Sequence, residues 1–99
     1  MNFGLSEKAL DMIVSVFRGI PEVREVRMFG SRAMGMERGN SNIDLALWGD
    51  IDQGLLGRIS LELDELSLPY LFDVKVYDQI EYEELKRHID EHGKLFYMK

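Results

Sequence analysis

Two short stretches of the chain, residues 42–48 and 72–77, carry apolar side chains at every second position and one aspartate each. Because side chains alternate between the two faces of a strand, each stretch predicts a half-buried strand with an acid on its polar face. Between them, residues 55–66 have leucine and isoleucine at helical spacing, which predicts one helix. This link is long enough for a right-handed parallel crossover, and antiparallel pairing of the two strands also fits the sequence.

The rest of the chain supplies further helices, a further strand and a turn. Apolar periodicity and turn residues predict a first helix from Ser6 to Phe17 with Ser6 as N-cap, a strand over 23–29 and one helical turn over 32–36. The helix between the two acid-bearing strands is capped by Asp50 or Asp52 and ends at Ser67. A third helix covers residues 79–92 and is closed by Gly93, and the terminal LFYM is either a tail or a short strand. We therefore expect an α/β (α+β) fold, a small mixed β-sheet with helices packed on one side.

Length and composition limit the class of protein. Ninety-nine residues support a single domain over residues 1–99, and a net charge of −6 argues against strong nucleic-acid binding. The absence of cysteine excludes disulfides, thiolate metal sites and a cysteine nucleophile. No stretch approaches the roughly 18 apolar residues of a membrane span, and the first residues do not resemble a secretory leader. We expect a cytoplasmic protein that does not bind membranes.

The acids of the two strands point to metal chemistry. A buried, isolated carboxylate is unfavourable by several kcal/mol, so Asp44 and Asp73 are expected to be solvated, paired or bound to a cation. If the strands are neighbours, roughly 4.8 Å apart, both acids can share one ion. Asn42 shares the face of Asp44, and Mg²⁺ favours such oxygen ligands. Upstream, Gly30 allows close backbone approach, and Ser31 offers a hydroxyl and an N–H to phosphate.

These residues together resemble a known family. Gly30-Ser31, ten intervening residues, Asn42-Ile43-Asp44, and Asp73 in a later apolar strand resemble the motif of minimal nucleotidyltransferases in the DNA polymerase beta superfamily. The similarity covers most of the chain, including GSRAMG near the first motif and the HGKLFY ending. Gly-Ser alone would be a weak signal, but the spacing, the strand context and the later acid make the match more specific.

The resemblance implies a polymerase beta-like nucleotidyltransferase fold and transfer of AMP from ATP with the help of Mg²⁺. It places catalytic and metal-binding roles on Asn42, Asp44 and Asp73, and nucleotide binding on Gly30, Ser31 and Arg32. Small members of this family often bind a HEPN protein, act as its antitoxin and can adenylylate it. The resemblance therefore also implies a HEPN-type partner in a hetero-oligomer.

Asn42 departs from the family pattern, which has a carboxylate at this position. An amide oxygen still coordinates Mg²⁺, but the cluster loses one negative charge, so metal affinity should fall. Three interpretations stay open: a weakened but working enzyme, a nucleotide-binding domain that has lost catalysis, or an engineered Asp-to-Asn replacement. A catalytically silent antitoxin that acts by binding its partner is the main alternative to an enzyme, and a generic α/β regulatory domain is a third possibility.

Several candidate residues also have simpler explanations. Arg32 either contacts phosphates or pairs with an acid on a solvated face, and Lys75 either meets substrate phosphate or neutralises Asp73 on its own strand face. His88 and His92 lie four apart near a helix end, but the sequence supplies no evident third ligand for zinc.

Overall fold

The computed structural model describes residues 2–39 and 41–99. The elements follow one another as α1 (Glu7–Arg18), β1 (Val23–Phe29), β2 (Ile43–Gly49), α2 (Gln53–Asp64), β3 (Phe72–Val76), α3 (Glu83–His92) and β4 (Lys94–Met98), with a short 3₁₀ helix (Tyr77–Gln79) between β3 and α3. The first helix and the first strand are confirmed as predicted, and the terminal LFYM residues belong to a strand. No helix in these two ranges is long and apolar enough to cross a membrane.

The first two helices begin where the sequence carries capping residues. The Ser6 hydroxyl accepts a hydrogen bond from the Ala9 N–H at 3.1 Å, and the Asp52 carboxylate accepts one from the Leu55 N–H at 2.8 Å. These side chains satisfy backbone donors that have no partner within the helix. The helix starts are therefore encoded locally in the sequence.

The sheet is four-stranded and mixed, with the strand order β3-β2-β1-β4. Strand β1 pairs antiparallel with both β2 and β4, whereas β2 and β3 are parallel. The link from β2 through α2 to β3 is therefore a parallel crossover, one of the two arrangements that the sequence left open. In this register Asp44 lies opposite Asp73 on β3 and opposite Phe29 on β1.

The aliphatic face of the sheet packs against α1 and α2. Ile13 and Phe17 of α1, Ile59 and Leu63 of α2, and Leu45 of β2 are all fully buried in the main hydrophobic core. The alternation predicted for β2 and β3 is confirmed, because their aliphatic residues join this core while the aspartates lie on the opposite face.

The third helix lies on the other face of the sheet. Ile89 of α3 is fully buried against Phe29 and Ala46, in a second, smaller cluster. The mixed sheet and the fold class are as predicted, and two of the three helices share one side. The position of α3 differs, because Phe29 and the small Ala46 make an apolar patch on the face that otherwise carries the acids.

The ends of two helices differ from the predicted bounds. Helix α2 ends at Asp64 and not at Ser67, within the usual uncertainty of helix ends. Helix α3 begins at Glu83 and not at residue 79, because Ile80 adopts an extended conformation and packs into the smaller cluster. Gly93 ends this helix with φ −63° and ψ 137°, which is extended and not left-handed.

Candidate functional site

Two acids from adjacent parallel strands face each other on the polar side of the sheet. Asp44 and Asp73 occupy paired positions of β2 and β3, and both side chains are half-buried. Burial, and secondarily the negative charge of Asp73, raise the pKa of the Asp44 carboxyl. Both effects penalise the ionised form of Asp44, so a bound cation would relieve them.

The turn after β1 lies directly against Asp44. Gly30 has φ +76°, a conformation that L side chains rarely adopt, and a Cβ added there would lie 2.3 Å from Oδ2 of Asp44. The following residues form the predicted helical turn, in which the Met34 N–H donates to the Gly30 carbonyl and the Met36 N–H donates to the Ser31 carbonyl. Glycine is therefore the residue that lets this turn approach the acid.

Asn42 is exposed and immediately precedes β2, which begins at Ile43. It is two residues before Asp44, so backbone alternation places the two on the same side. Within residues 2–39 and 41–99, no group of three or more histidine, cysteine, aspartate or glutamate residues is arranged to hold a metal ion. The paired carboxylates of Asp44 and Asp73 are oxygen ligands of the kind that Mg²⁺ takes, and an amide oxygen from Asn42 would add to them no further negative charge.

Lys75 forms a loose ion pair with Asp73. Its Nζ lies 3.6 Å from Oδ1 of Asp73, and the two side chains are 44% and 47% exposed. An ion pair this open to solvent contributes at most about 1 kcal/mol, so it leaves Asp73 available to a stronger cation. Both interpretations of Lys75 from the sequence remain compatible with this geometry.

The structure revises the role predicted for Arg32. Its side chain is only 1% exposed, and its nitrogens donate to the Ser41 carbonyl at 2.9 and 3.2 Å and to the Phe3 carbonyl at 3.0 Å. The guanidinium also lies over the ring of Tyr70, 4.7 Å from its centroid. Arg32 is therefore not on a solvated face; it fixes the loop before β2 to the N-terminal segment, and its contact with phosphate stays a prediction.

His88 is a site residue that sequence reasoning missed. The Gly30 N–H donates to Nε2 of His88 at 3.0 Å, across 58 residues of sequence. The sequence placed His88 and His92 near a helix end without a third ligand for zinc, and no local pattern links a helical histidine to a distant glycine turn. Only the packing of α3 on the acid-bearing face brings the two together.

The family of the chain follows from comparison with known proteins. A family model described as polymerase beta, nucleotidyltransferase matches residues 11–99. The chain belongs to this family. The matched range includes the Gly30 turn and both strand acids. No curated protein sequence matches the chain.

Solved structures of related architecture include toxin–antitoxin complexes. One with AMP-PNP has a TM-score of 0.75 and 22% identity, over 91% of this chain and 73% of that chain. The MntA–HepT complex has a TM-score of 0.71 and 18% identity, over 95% and 74%. A tri-AMPylated HEPN toxin of Shewanella oneidensis with its MNT antitoxin has a TM-score of 0.71 and 17% identity, over 96% and 74%. At these identities the likeness establishes the polymerase beta-like nucleotidyltransferase fold.

Proposed function

We propose that this chain transfers AMP from Mg²⁺-bound ATP to a protein hydroxyl of a HEPN-type partner, with release of pyrophosphate, and thereby acts as an antitoxin. The observation that carries the proposal is the pairing of Asp44 with Asp73 beside the Gly30 turn. Phosphoryl chemistry of this kind depends mostly on positioning and charge neutralisation, which such an arrangement supplies. The proposal includes a cytoplasmic location.

Each residue of the site has a role in this proposal. Asp44, Asp73 and the Asn42 amide oxygen hold Mg²⁺, which supplies positive charge for the triphosphate. Ser31 binds phosphate oxygens through its hydroxyl and its N–H, since backbone N–H groups in a turn suit an anion. Gly30 lets the turn approach the phosphate closely, while its own N–H is bonded to His88. Asp73, which is half exposed, accepts the proton of the acceptor hydroxyl.

The HEPN partner is supported by two observations. The similar solved structures include complexes of MNT antitoxins with HEPN toxins. In addition, the terminal strand β4 lies at an edge of the sheet and leaves Leu95 and Met98 54% and 58% exposed. Apolar side chains on a free strand edge are typical of surfaces that another protein covers.

A second candidate function is a catalytically silent module that neutralises its HEPN partner by binding alone. The exposed Asn42 amide favours it, because the site then has only two carboxylates where the family pattern has three. A site with one negative charge fewer binds Mg²⁺ more weakly. Both candidates share the partner, so they differ only in the transfer step.

Transfer of labelled AMP from Mg²⁺-ATP into host-lysate protein separates the two. We would compare the parent chain with Asn42→Asp, with Asp44→Asn, and with Asp50→Asn as a control at the far, exposed end of β2. Labelling by the parent that Asp44→Asn abolishes and Asp50→Asn preserves supports the enzyme. Labelling only after Asn42→Asp supports the silent module. Failure of every variant to label protein, together with pull-downs that recover no HEPN protein, would overturn both candidates.

A further inference from the structure

The backbone amide of Gly30, the residue that follows β1, is hydrogen-bonded to a side chain of the distant helix α3. Its N–H donates to the imidazole Nε2 of His88, 3.0 Å away, so this nitrogen acts as the acceptor. Without this partner the half-buried N–H would need another acceptor, since unsatisfied backbone donors are unfavourable. The bond thus restrains the peptide plane at the start of the turn.

The imidazole itself is held in place by the packing of α3. The next residue, Ile89, is fully buried against Phe29 and Ala46, which fixes the helix on the sheet. The ring of His88 also meets Phe29 edge-on, with 6.1 Å between the ring centroids. The acceptor atom is therefore supplied from a rigid element on the same face as the acids.

The turn has little space in which to move. A single carbon added at Gly30 would collide with Asp44, so any shift of this glycine toward the sheet displaces the carboxylate. Ser31 follows directly, and its N–H and hydroxyl take their direction from the Gly30 peptide. A contact that fixes Gly30 therefore also fixes the distance between the phosphate-binding turn and the acid pair.

We infer that His88 is a positioning residue, whose Nε2 holds the Gly30–Ser31 turn in register with Asp44 for binding of a metal-bound nucleoside triphosphate. This inference rests on the proposed function, and it concerns a residue that acts through the Gly30 amide and does not itself contact the nucleotide. This role requires a hydrogen-bond acceptor for the Gly30 N–H, and an aromatic ring without such an acceptor does not fulfil it.

Two substitutions of similar size separate the acceptor from simple packing. His88→Gln keeps an oxygen acceptor near the position of Nε2, whereas His88→Met fills similar space without a strong acceptor. His92→Met is the control on the same helix, because its ring lies 5.2 Å from that of His88 but is not bonded to Gly30. All three would be made in the parent chain and in Asn42→Asp.

Calorimetric titration with Mg²⁺-ATP and amide hydrogen exchange of Gly30 by NMR are the two measurements. We expect His88→Met to bind ATP about 3- to 10-fold more weakly, the range for loss of one hydrogen bond, and to exchange the Gly30 amide faster by a similar factor. His88→Gln and His92→Met should stay within about twofold of the starting chain on the same grounds.

The other possible outcomes would overturn either the positioning role of His88 alone or the proposed function as well. If His88→Met binds ATP as tightly as its parent, or if Gln and Met weaken binding equally, the positioning role is overturned while the proposed function stands. Unchanged exchange of the Gly30 amide in His88→Met overturns it as well. If neither the parent nor Asn42→Asp binds Mg²⁺-ATP, nucleotide transfer itself fails, and the inference fails with it.

Discussion

Replacing Arg32 with lysine tests whether this buried cation is a structural element of the fold. Lysine keeps the charge but replaces a planar fork with a single ammonium group. Arg32 donates to two carbonyls, those of Phe3 and Ser41, which belong to segments far apart in sequence. One ammonium group cannot reproduce this arrangement, so at least one carbonyl loses its partner.

The size of the effect follows from the bonds that are lost. The guanidinium makes three hydrogen bonds, and each bond to a charged group contributes about 1.5–3 kcal/mol. If lysine retains one, the loss of two at the lower end of that range is about 3 kcal/mol. For a domain of this size the same loss lowers Tm by about 12–24 °C.

Urea unfolding followed by fluorescence measures this loss directly. Trp48 is the single tryptophan and stacks on Tyr77 with 4.7 Å between ring centroids, so its emission reports global unfolding. Arg38→Lys is the matched control, since Arg38 is exposed in the same loop and should change stability by no more than about 0.5 kcal/mol. An Arg32→Lys variant within about 1 kcal/mol of the parent would refute the reasoning.

Three further predictions follow from the same structure. Gly30→Ala and Gly35→Ala place alanine at similar φ values of +76° and +70°, but only the alanine at position 30 meets Asp44. We expect about 1 kcal/mol of backbone strain in both variants and a further 1–3 kcal/mol of destabilisation in Gly30→Ala. Equal losses of stability in urea unfolding would contradict this. Burial, and then the charge of Asp73, raise the pKa of Asp44, so ionisation of this carboxyl lowers the stability of the fold as the pH rises from the usual aspartate range through the raised pKa. Asp44→Asn should therefore gain stability relative to the parent between pH 4 and pH 7. A stability difference that does not change with pH would exclude this. Ile89→Ala should cost about 2–5 kcal/mol because Ile89 is fully buried under α3, and a loss below 1 kcal/mol in thermal or urea unfolding would mean that α3 is not anchored there.

Local features of the sequence were enough to predict most elements and their faces. The alternation of apolar residues along β2 shows which of its faces is buried, and the N-caps Ser6 and Asp52 mark the starts of two helices. Both signals can be read from the sequence because they act between residues that are close in the chain. The acids of the site were found in the same way, as polar residues on strands that are otherwise apolar.

The strand patterns alone did not show that Asp44 and Asp73 lie next to each other. Their pairing depends on β2 and β3 being neighbours in parallel register, which the sequence allowed but left open. The family motif strengthened the expectation, since Gly30, Ser31 and the acids recur in it at fixed spacing. The mixed sheet and the strand faces are confirmed, while metal and nucleotide binding at these residues stay predictions.

Periodicity, motif and turn chemistry thus determined the elements, the polar faces and the family of this protein. Tertiary structure alone decided that α3 covers the face opposite α1 and α2, that Arg32 is buried, and that His88 meets Gly30. The physical reason is that local pattern encodes which side of an element is apolar but not which distant element covers it. Contacts across 29 or 58 residues, such as Arg32 to Phe3 and Gly30 to His88, exist only once the core has packed.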